Sequence, residues 1–252
     1  MNGSKRHISL VGYGNVGYHL FRAFEEAGIR VTHVLKRTSS PNGYDGVVCT
    51  SPDELPDDQL TIVCVPDDRV APTIESLPSF LPVAHTSGSI TLSQIPERNA
   101  PVGVFYPLQS FTRGSELDMR SVPFLIESDL PDFQNELFEL ARMISNRVGI
   151  MSSDERRKIH LAAVWVNNFT NHVNHVAKSY LDDQSLDFSL LYPLLDETIR
   201  KIKTQGPEVS QTGPAIRRDE GVISEHLNML KEHNRELYTL LSRHIQYYHS
   251  NE

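Results

Sequence analysis

Residues 7–28 read HISLVGYGNVGYHLFRAFEEAG. A short apolar run (Ile8, Leu10, Val11) feeds directly into Gly12-Tyr13-Gly14-Asn15-Val16-Gly17. Val16, Leu20, Phe21, Phe24 and Ala27 then recur at three- and four-residue intervals up to Gly28. The spacing predicts a strand, a glycine turn and an amphipathic helix, the context in which G-x-G-x-x-G binds a dinucleotide. Gly12 permits the tight turn, Gly14 lets the backbone approach a pyrophosphate, and Gly17 lets the helix pack closely on the strand. The free N–H groups of the helix N-terminus would face the phosphates.

VTHVLKR (31–37) reads as the second strand, and its end is where the cofactor is chosen. An NAD enzyme places Asp or Glu about 20 residues past the glycines to bind the ribose 2′-hydroxyl. This chain instead has Lys36-Arg37-Thr38-Ser39-Ser40. A guanidinium forks onto phosphate and hydroxyls add bonds, so Arg37, Thr38 and Ser39 favour NADP(H). A solvated basic loop is the other reading of these residues.

LTIVCVPD (60–67) is a nearly continuous apolar run, as expected of a central parallel strand covered on both faces. Val65, Pro66 and Asp67 fall at its carboxyl end, where open α/β sheets bind ligands. DGVVCT (45–50), PVAHTSGS (82–89), VGVFYPLQSF (102–111), VPFLIES (122–128) and VGIMSS (148–153) read as further strands. PDFQNELFELARMISNRVG (131–149) reads as a helix opened by Pro131 and stopped by Gly149. From Asp154 onward three helical blocks are expected, at 154–183, 187–204 and 219–249. The sequence thus predicts an α/β fold with a Rossmann-like, mostly parallel sheet (1–153), followed by an all-helical domain (154–252).

Composition narrows the class. Hydrophobic residues make up 39% and charged residues 22%, and the net charge is −8. So acidic a chain argues against a general nucleic-acid or membrane-surface binder, which would need a basic face, and no apolar run approaches a membrane span. The start of the chain enters a strand without a signal-peptide core. Cys49 and Cys64 lack metal-spaced partners and read as buried apolar residues. A cytoplasmic protein without a metal centre is expected.

The helix HLAAVWVNNFTNHVNHVAKS (160–179) sorts at 100° per residue into two faces. Leu161, Ala162, Trp165, Val166, Phe169, Val173 and Val176 lie on one; His160, Asn167, Asn168, Asn171, Asn174, His175 and Lys178 lie on the other. Asn and His are poor choices for a merely solvated helix face. They fit the wall of a polar pocket, with His160 as proton donor and Asn167 and Asn168 orienting a substrate oxygen. A buried hydrogen-bond network between helices is the alternative, and zinc on His160, His172 and His175 is a third, without a carboxylate or cysteine to complete it. Thr212 and Arg217, in QTGPAIRRD (211–219), could hold a carboxylate or phosphate, or simply precede an Asp219-capped helix. Thr86, Ser87 and Gly88 follow one strand, and Tyr106 and Gln109 follow another. They would face the crevice beside a nicotinamide and substrate, unless they are ordinary turns.

GYGNVGYHL, CVPDD, HTSGS, FYPLQSF, HLAAVWVNNFTNH and QTGPAIRRD together resemble NADP oxidoreductases of the 6-phosphogluconate-dehydrogenase-like superfamily. More narrowly, the chain resembles the branch pairing a Rossmann-like domain with a helical C-terminal domain of unknown function. Similarity to pyrroline-5-carboxylate reductase, prephenate dehydrogenase and the deazaflavin-dependent NADP reductases is more distant. The resemblance, over about residues 7–235, implies a dinucleotide held by Gly12 to Gly17 and by Arg37, Thr38 and Ser39. It implies a nicotinamide ribose along Val65 to Asp67 and Thr86 to Gly88. It also implies a homodimer built by the C-terminal helices. The β-hydroxyacid dehydrogenase branch carries Lys and Asn four apart on the first long C-terminal helix. Here His160 and Val164 stand in that region, so His160 with Asn167 or Asn168 is a reading of the residues and not a carry-over.

The expectation is an NADPH-dependent oxidoreductase acting on a small polar carbonyl, imine or hydroxy acid. A dinucleotide-binding sensor or dimeric interaction module without turnover is the alternative.

Overall fold

The computed structural model describes residues 7–36, 44 and 46–249. Two compact units divide between Asn168 and Phe169. The first is built on an eight-stranded sheet: β1 (His7–Val11), β2 (Arg30–Leu35), β3 (Val47–Cys49), β4 (Leu60–Val63), β5 (Val83–His85), β6 (Val102–Pro107), β7 (Pro123–Ser128) and β8 (Arg147–Ile150). Their order is β3-β2-β1-β4-β5-β6-β7-β8. The first six strands run parallel, β7 is antiparallel to β6, and β8 is parallel to β7. The strand order reverses between β1 and β4, which opens a crevice at their carboxyl ends.

All four residues of β4 are buried, because helices cover both faces. On one face α1 (Asn15–Glu26) and α3 (Pro131–Ile144) place Leu20, Phe24, Leu137 and Leu140 against Ile8, Leu10, Ile62, Phe105 and Phe124. On the other, α2 (Asp67–Ser76) packs Val70 and Ile74 against Val11, Val63 and Val83. The Arg98 guanidinium donates to the carbonyls of Ile74, Leu77, Pro78 and Leu81, satisfying the end of α2.

Helix α3 stops earlier than its sequence pattern predicts. Ser145 turns extended, and its hydroxyl donates to the Val122 carbonyl and accepts from the Arg147 N–H. Gly149, the expected stop, lies within β8.

Helix α4 (Ser153–Ala163) belongs with the sheet. Ser152 caps it in a reciprocal box with Glu155. Arg156, fully buried, pairs with the Glu127 carboxylate of β7 and donates to the Ile90 carbonyl at 2.5 Å. Glu127 also accepts from the Ser153 N–H (2.7 Å) and hydroxyl (2.9 Å). This anchoring explains why compactness changes at residue 168, although strands give way to helices after Ile150. A π-helical turn, Val164–Phe169, follows α4. It widens the helical step, so the uniform 100° wheel expected over 160–179 does not hold there.

The second unit comprises α5 (Thr170–Asp183), α6 (Tyr192–Gln205), α7 (Pro207–Ser210), α8 (Glu220–Met229) and α9 (Glu232–Tyr248). The block expected at 219–249 breaks where Leu230 turns extended and its carbonyl accepts from Arg235. Among the described residues of this unit only Ala215, Ile223 and Ser242 are buried. Leu190, Leu194 and Val209 stay 73%, 62% and 74% exposed. Among the described residues, no helix is long and apolar enough to cross a membrane.

Candidate functional site

The glycine turn has the geometry its sequence calls for. Gly12 adopts φ +94°, and a Cβ there would sit 2.3 Å from the Cys64 carbonyl oxygen. A Cβ on Gly17 would meet the Gly12 carbonyl oxygen at 2.3 Å. Gly14 differs: a Cβ there meets nothing within 4 Å. Gly14 stands at the start of α1, which has no side-chain cap. The first N–H groups of α1 thus start from an exposed glycine beside open space, the arrangement that receives an anion.

The turn opens onto a cavity of about 1170 Å³. Tyr13, Gly14 and Tyr18 line it with Leu35 and Lys36 at the end of β2. Val65, Pro66, Arg69 and Thr73 line it from the β4–α2 side, and Arg113 from the segment after β6. Such a space, floored by an uncapped helix start and edged by three cations, fits an elongated polyanion such as a dinucleotide. Asn15 accepts the Arg113 N–H on its side chain, and Val16 packs against the core below. Arg37, Thr38 and Ser39 lie outside the described residues.

A second cluster lies in the same unit. Asp67 opens α2, and its carboxylate accepts the Ser89 hydroxyl at 2.5 Å. Thr86 is buried and donates to the Val63 carbonyl. The Ser87 hydroxyl accepts the N–H groups of Ser89 and Ile90, so the loop after β5 is fixed from within. Gly88 supports the contact of greatest chemical interest. The Tyr106 hydroxyl lies 3.0 Å from His160 Nδ1, and a Cβ on Gly88 would fall 2.5 Å from that nitrogen and 2.7 Å from Tyr106 Cζ. Burial pushes the Tyr106 hydroxyl up to about 12, with the Asp67 carboxylate acting in the same direction. Tyr106 therefore stays protonated near neutral pH. It can donate to Nδ1 of a neutral imidazole and accept from Nδ1–H of an imidazolium, keeping the ring oriented in both states.

His85 is buried in this region, and its Nδ1 accepts the Ser87 N–H. Burial holds its pKa down to about 3, assisted by the Arg156 charge and opposed by Asp67. It is a neutral imidazole, and its Nε2 has no partner among the described residues.

Three sequence-derived candidates, Gly88, Tyr106 and His160, are thus in mutual contact. Others are not. Gln109 is exposed and its side chain bonds the Ser110 N–H. Asn167 and Asn168 lie exposed in the π turn. Thr212 and Arg217 are exposed residues of the second unit. The His172 and His175 rings lie 6.4 Å apart, and no group of three or more potential metal ligands occurs among the described residues.

Sequence reasoning missed Arg69, Tyr18 and Arg113 at the cavity and the buried Arg156, one helical turn before His160. Arg156 and His160 are four apart and share a face of α4, a spacing that could have linked them. Arg113 has no such signal, being 98 residues from the Asn15 side chain it meets.

The strand order, the glycine turn and the polar cluster at the strand ends define a Rossmann-type protein with a helical C-terminal unit. The family model described as a domain of unknown function, DUF2520, matches residues 122–245. The crystal structure of a putative NADP oxidoreductase, BF3122 from Bacteroides fragilis, is 35% identical, covers 96% of this chain and 98% of its own, and superposes with a TM-score of 0.85. Two further structures share the fold. Protein TM1727 from Thermotoga maritima is 22% identical over 97% of this chain and 98% of that one (TM-score 0.72). A reductive aminase from Aspergillus terreus, in complex with NADPH and ethyl-5-oxohexanoate, is 12% identical over 97% and 95% (TM-score 0.72). No curated protein matches the chain in sequence. The chain belongs to the family of this putative NADP oxidoreductase from Bacteroides fragilis.

Proposed function

We propose that the protein is an NADP(H)-dependent oxidoreductase that moves hydride between the nicotinamide and a small polar carbonyl, imine or hydroxy acid. The observation that carries this reading is the Tyr106–His160 pair, seated on Gly88 in the same unit as the open glycine turn. The 35% identity to the Bacteroides oxidoreductase supports it over the whole chain.

The sheet domain, 1–153, holds the dinucleotide. Gly12, Tyr13, Gly14, Asn15, Val16 and Gly17 receive the pyrophosphate at the start of α1. Arg37, Thr38 and Ser39, which follow β2 in the chain, bind the ribose 2′-phosphate. Val65 to Asp67 and Thr86 to Gly88 flank the nicotinamide ribose. Bound there, NADPH supplies the hydride.

His160 exchanges the accompanying proton with the substrate oxygen or nitrogen, and Tyr106 fixes its ring through Nδ1. Asn167 and Asn168 orient the substrate, with Gln109 as a further contact. The helical C-terminal part of the chain forms a homodimer. Exposed leucines and valines in residues 169–249 support that pairing, since only three described residues of this unit are buried and a partner would cover its apolar side chains. Two buried free thiols suit the reducing cytoplasm, where we place the protein.

The test is NADPH oxidation with a panel of keto acids, aldehydes and cyclic imines, run on wild-type and His160→Ala protein. Turnover that falls about 10²- to 10⁴-fold in the variant, with NADPH still bound, supports the assignment. Turnover unchanged by the substitution removes His160 from the chemistry.

A further inference from the structure

Lys36 is the residue next after β2, and its Nζ sits 5.5 Å from the centre of the Tyr13 ring. The Arg113 guanidinium approaches the same ring at 5.2 Å and the Tyr18 ring at 5.4 Å. Arg113 arrives from the segment 108–118 after β6, which is tied to α1 at three points. His19 bonds the Thr112 carbonyl (2.9 Å), Phe111 packs 5.4 Å from the His19 ring, and the Arg113 N–H donates to Asn15 (3.2 Å). The segment is a strap across the start of α1, and the arginine on it is held in place by two tyrosines.

We propose that Arg113 and Lys36 form a clamp that selects a phosphorylated adenosine ribose, the guanidinium and ammonium together receiving the 2′-phosphate. This rests on the reading that the glycine turn holds NADP(H). It adds a specificity-determining residue that motif position does not indicate.

Three observations carry the clamp. Neither cation forms an ion pair with a carboxylate among the described residues, although the chain is acidic overall with a net charge of −8. The two charges share one aromatic ring, and the Lys36 ammonium is held below its ordinary pKa by burial and by the Arg113 charge. A phosphate monoester with about −1.5 to −2 charges relieves that repulsion, whereas an unphosphorylated ribose leaves it in place. Finally, Lys36 marks the end of β2, the place where a dinucleotide's ribose 2′ position is read. The pyrophosphate has its own donors in the N–H groups of α1. Stacking on Tyr13 and Tyr18 orders the guanidinium before the ligand arrives, so less freedom is lost on binding.

Isothermal titration of the full-length protein with NADPH and with NADH, for wild type, Arg113→Ala, Arg113→Lys and Lys36→Ala, tests the clamp. Arg113→Ala should weaken NADPH about 10- to 100-fold while shifting NADH by less than about threefold. Lys36→Ala should narrow the same preference, and Arg113→Lys should retain part of it. Equal weakening of both ligands by Arg113→Ala would assign Arg113 to the pyrophosphate or the strap and overturn the clamp. So would an unchanged preference. Wild-type protein that binds neither ligand would instead refute the dinucleotide reading itself, and the clamp with it.

Discussion

The Tyr106 hydroxyl and His160 Nδ1 lie 3.0 Å apart, joining the last strand of the parallel set to the first helix after the sheet. Tyr106→Phe removes the oxygen but keeps the ring. It should lower kcat about 10- to 100-fold and distort the pH profile of kcat/KM, because the imidazole loses its fixed partner. Steady-state kinetics against pH checks this, with NADPH affinity unchanged as the control.

Gly88→Ala should be more damaging than its size suggests. The new methyl would overlap His160 Nδ1 and Tyr106 Cζ, so the two side chains must part. Loss of turnover comparable to His160→Ala is expected, with folding retained by circular dichroism because both neighbours end in movable rings.

The three glycines of the turn should respond differently. Gly12→Ala and Gly17→Ala drive a methyl into backbone carbonyls and should lower stability by about 1–3 kcal/mol. Gly14→Ala meets open space and should leave the melting temperature within about 2 °C of wild type. It should still weaken NADPH binding, because the methyl occupies the approach to the start of α1. Thermal melts and titrations on the three variants separate folding from binding.

Breaking the Arg156–Glu127 pair should destabilise the first unit strongly. Glu127→Ala leaves a buried guanidinium without its carboxylate and also frees the Ser153 N–H, at about 3–5 kcal/mol. The double replacement Arg156→Met with Glu127→Leu should recover much of that in urea denaturation. His160 lies one turn further along α4, so turnover should not recover in parallel.

His85 gives the fold a pH dependence of defined sign. Its folded pKa of about 3 lies below the ordinary 6.5, so the unfolded chain binds the extra proton between those values. The contribution is full above about pH 6.5 and is lost as pH falls toward 3. His85→Asn should flatten the stability-against-pH curve in that window, measured by urea midpoints.

Much of this was legible from the residues. The glycines, the nearly all-apolar 60–67 run and the late change to helix point to the α/β unit and the helices that follow. The strand-end loops and the polar helix face single out Gly88, Tyr106 and His160, which lie together. What stayed hidden depends on distance or on equivalence. Arg156 and Arg157 are neighbours of one type, and only packing tells that one is buried. Arg113 reaches Tyr13 through a strap whose fold no periodicity encodes. The π turn at Val164–Phe169 breaks the helical wheel without a proline or glycine to announce it. The helix that starts at Pro131 is shorter than its pattern predicts because Ser145, not Gly149, ends it.

Fluorescence titration of the wild-type protein with NADPH and, separately, with NADH tests the central claim most directly. Micromolar NADPH binding with markedly weaker NADH binding is the expected result. Failure to bind either dinucleotide would contradict it and leave the glycine turn as scaffold.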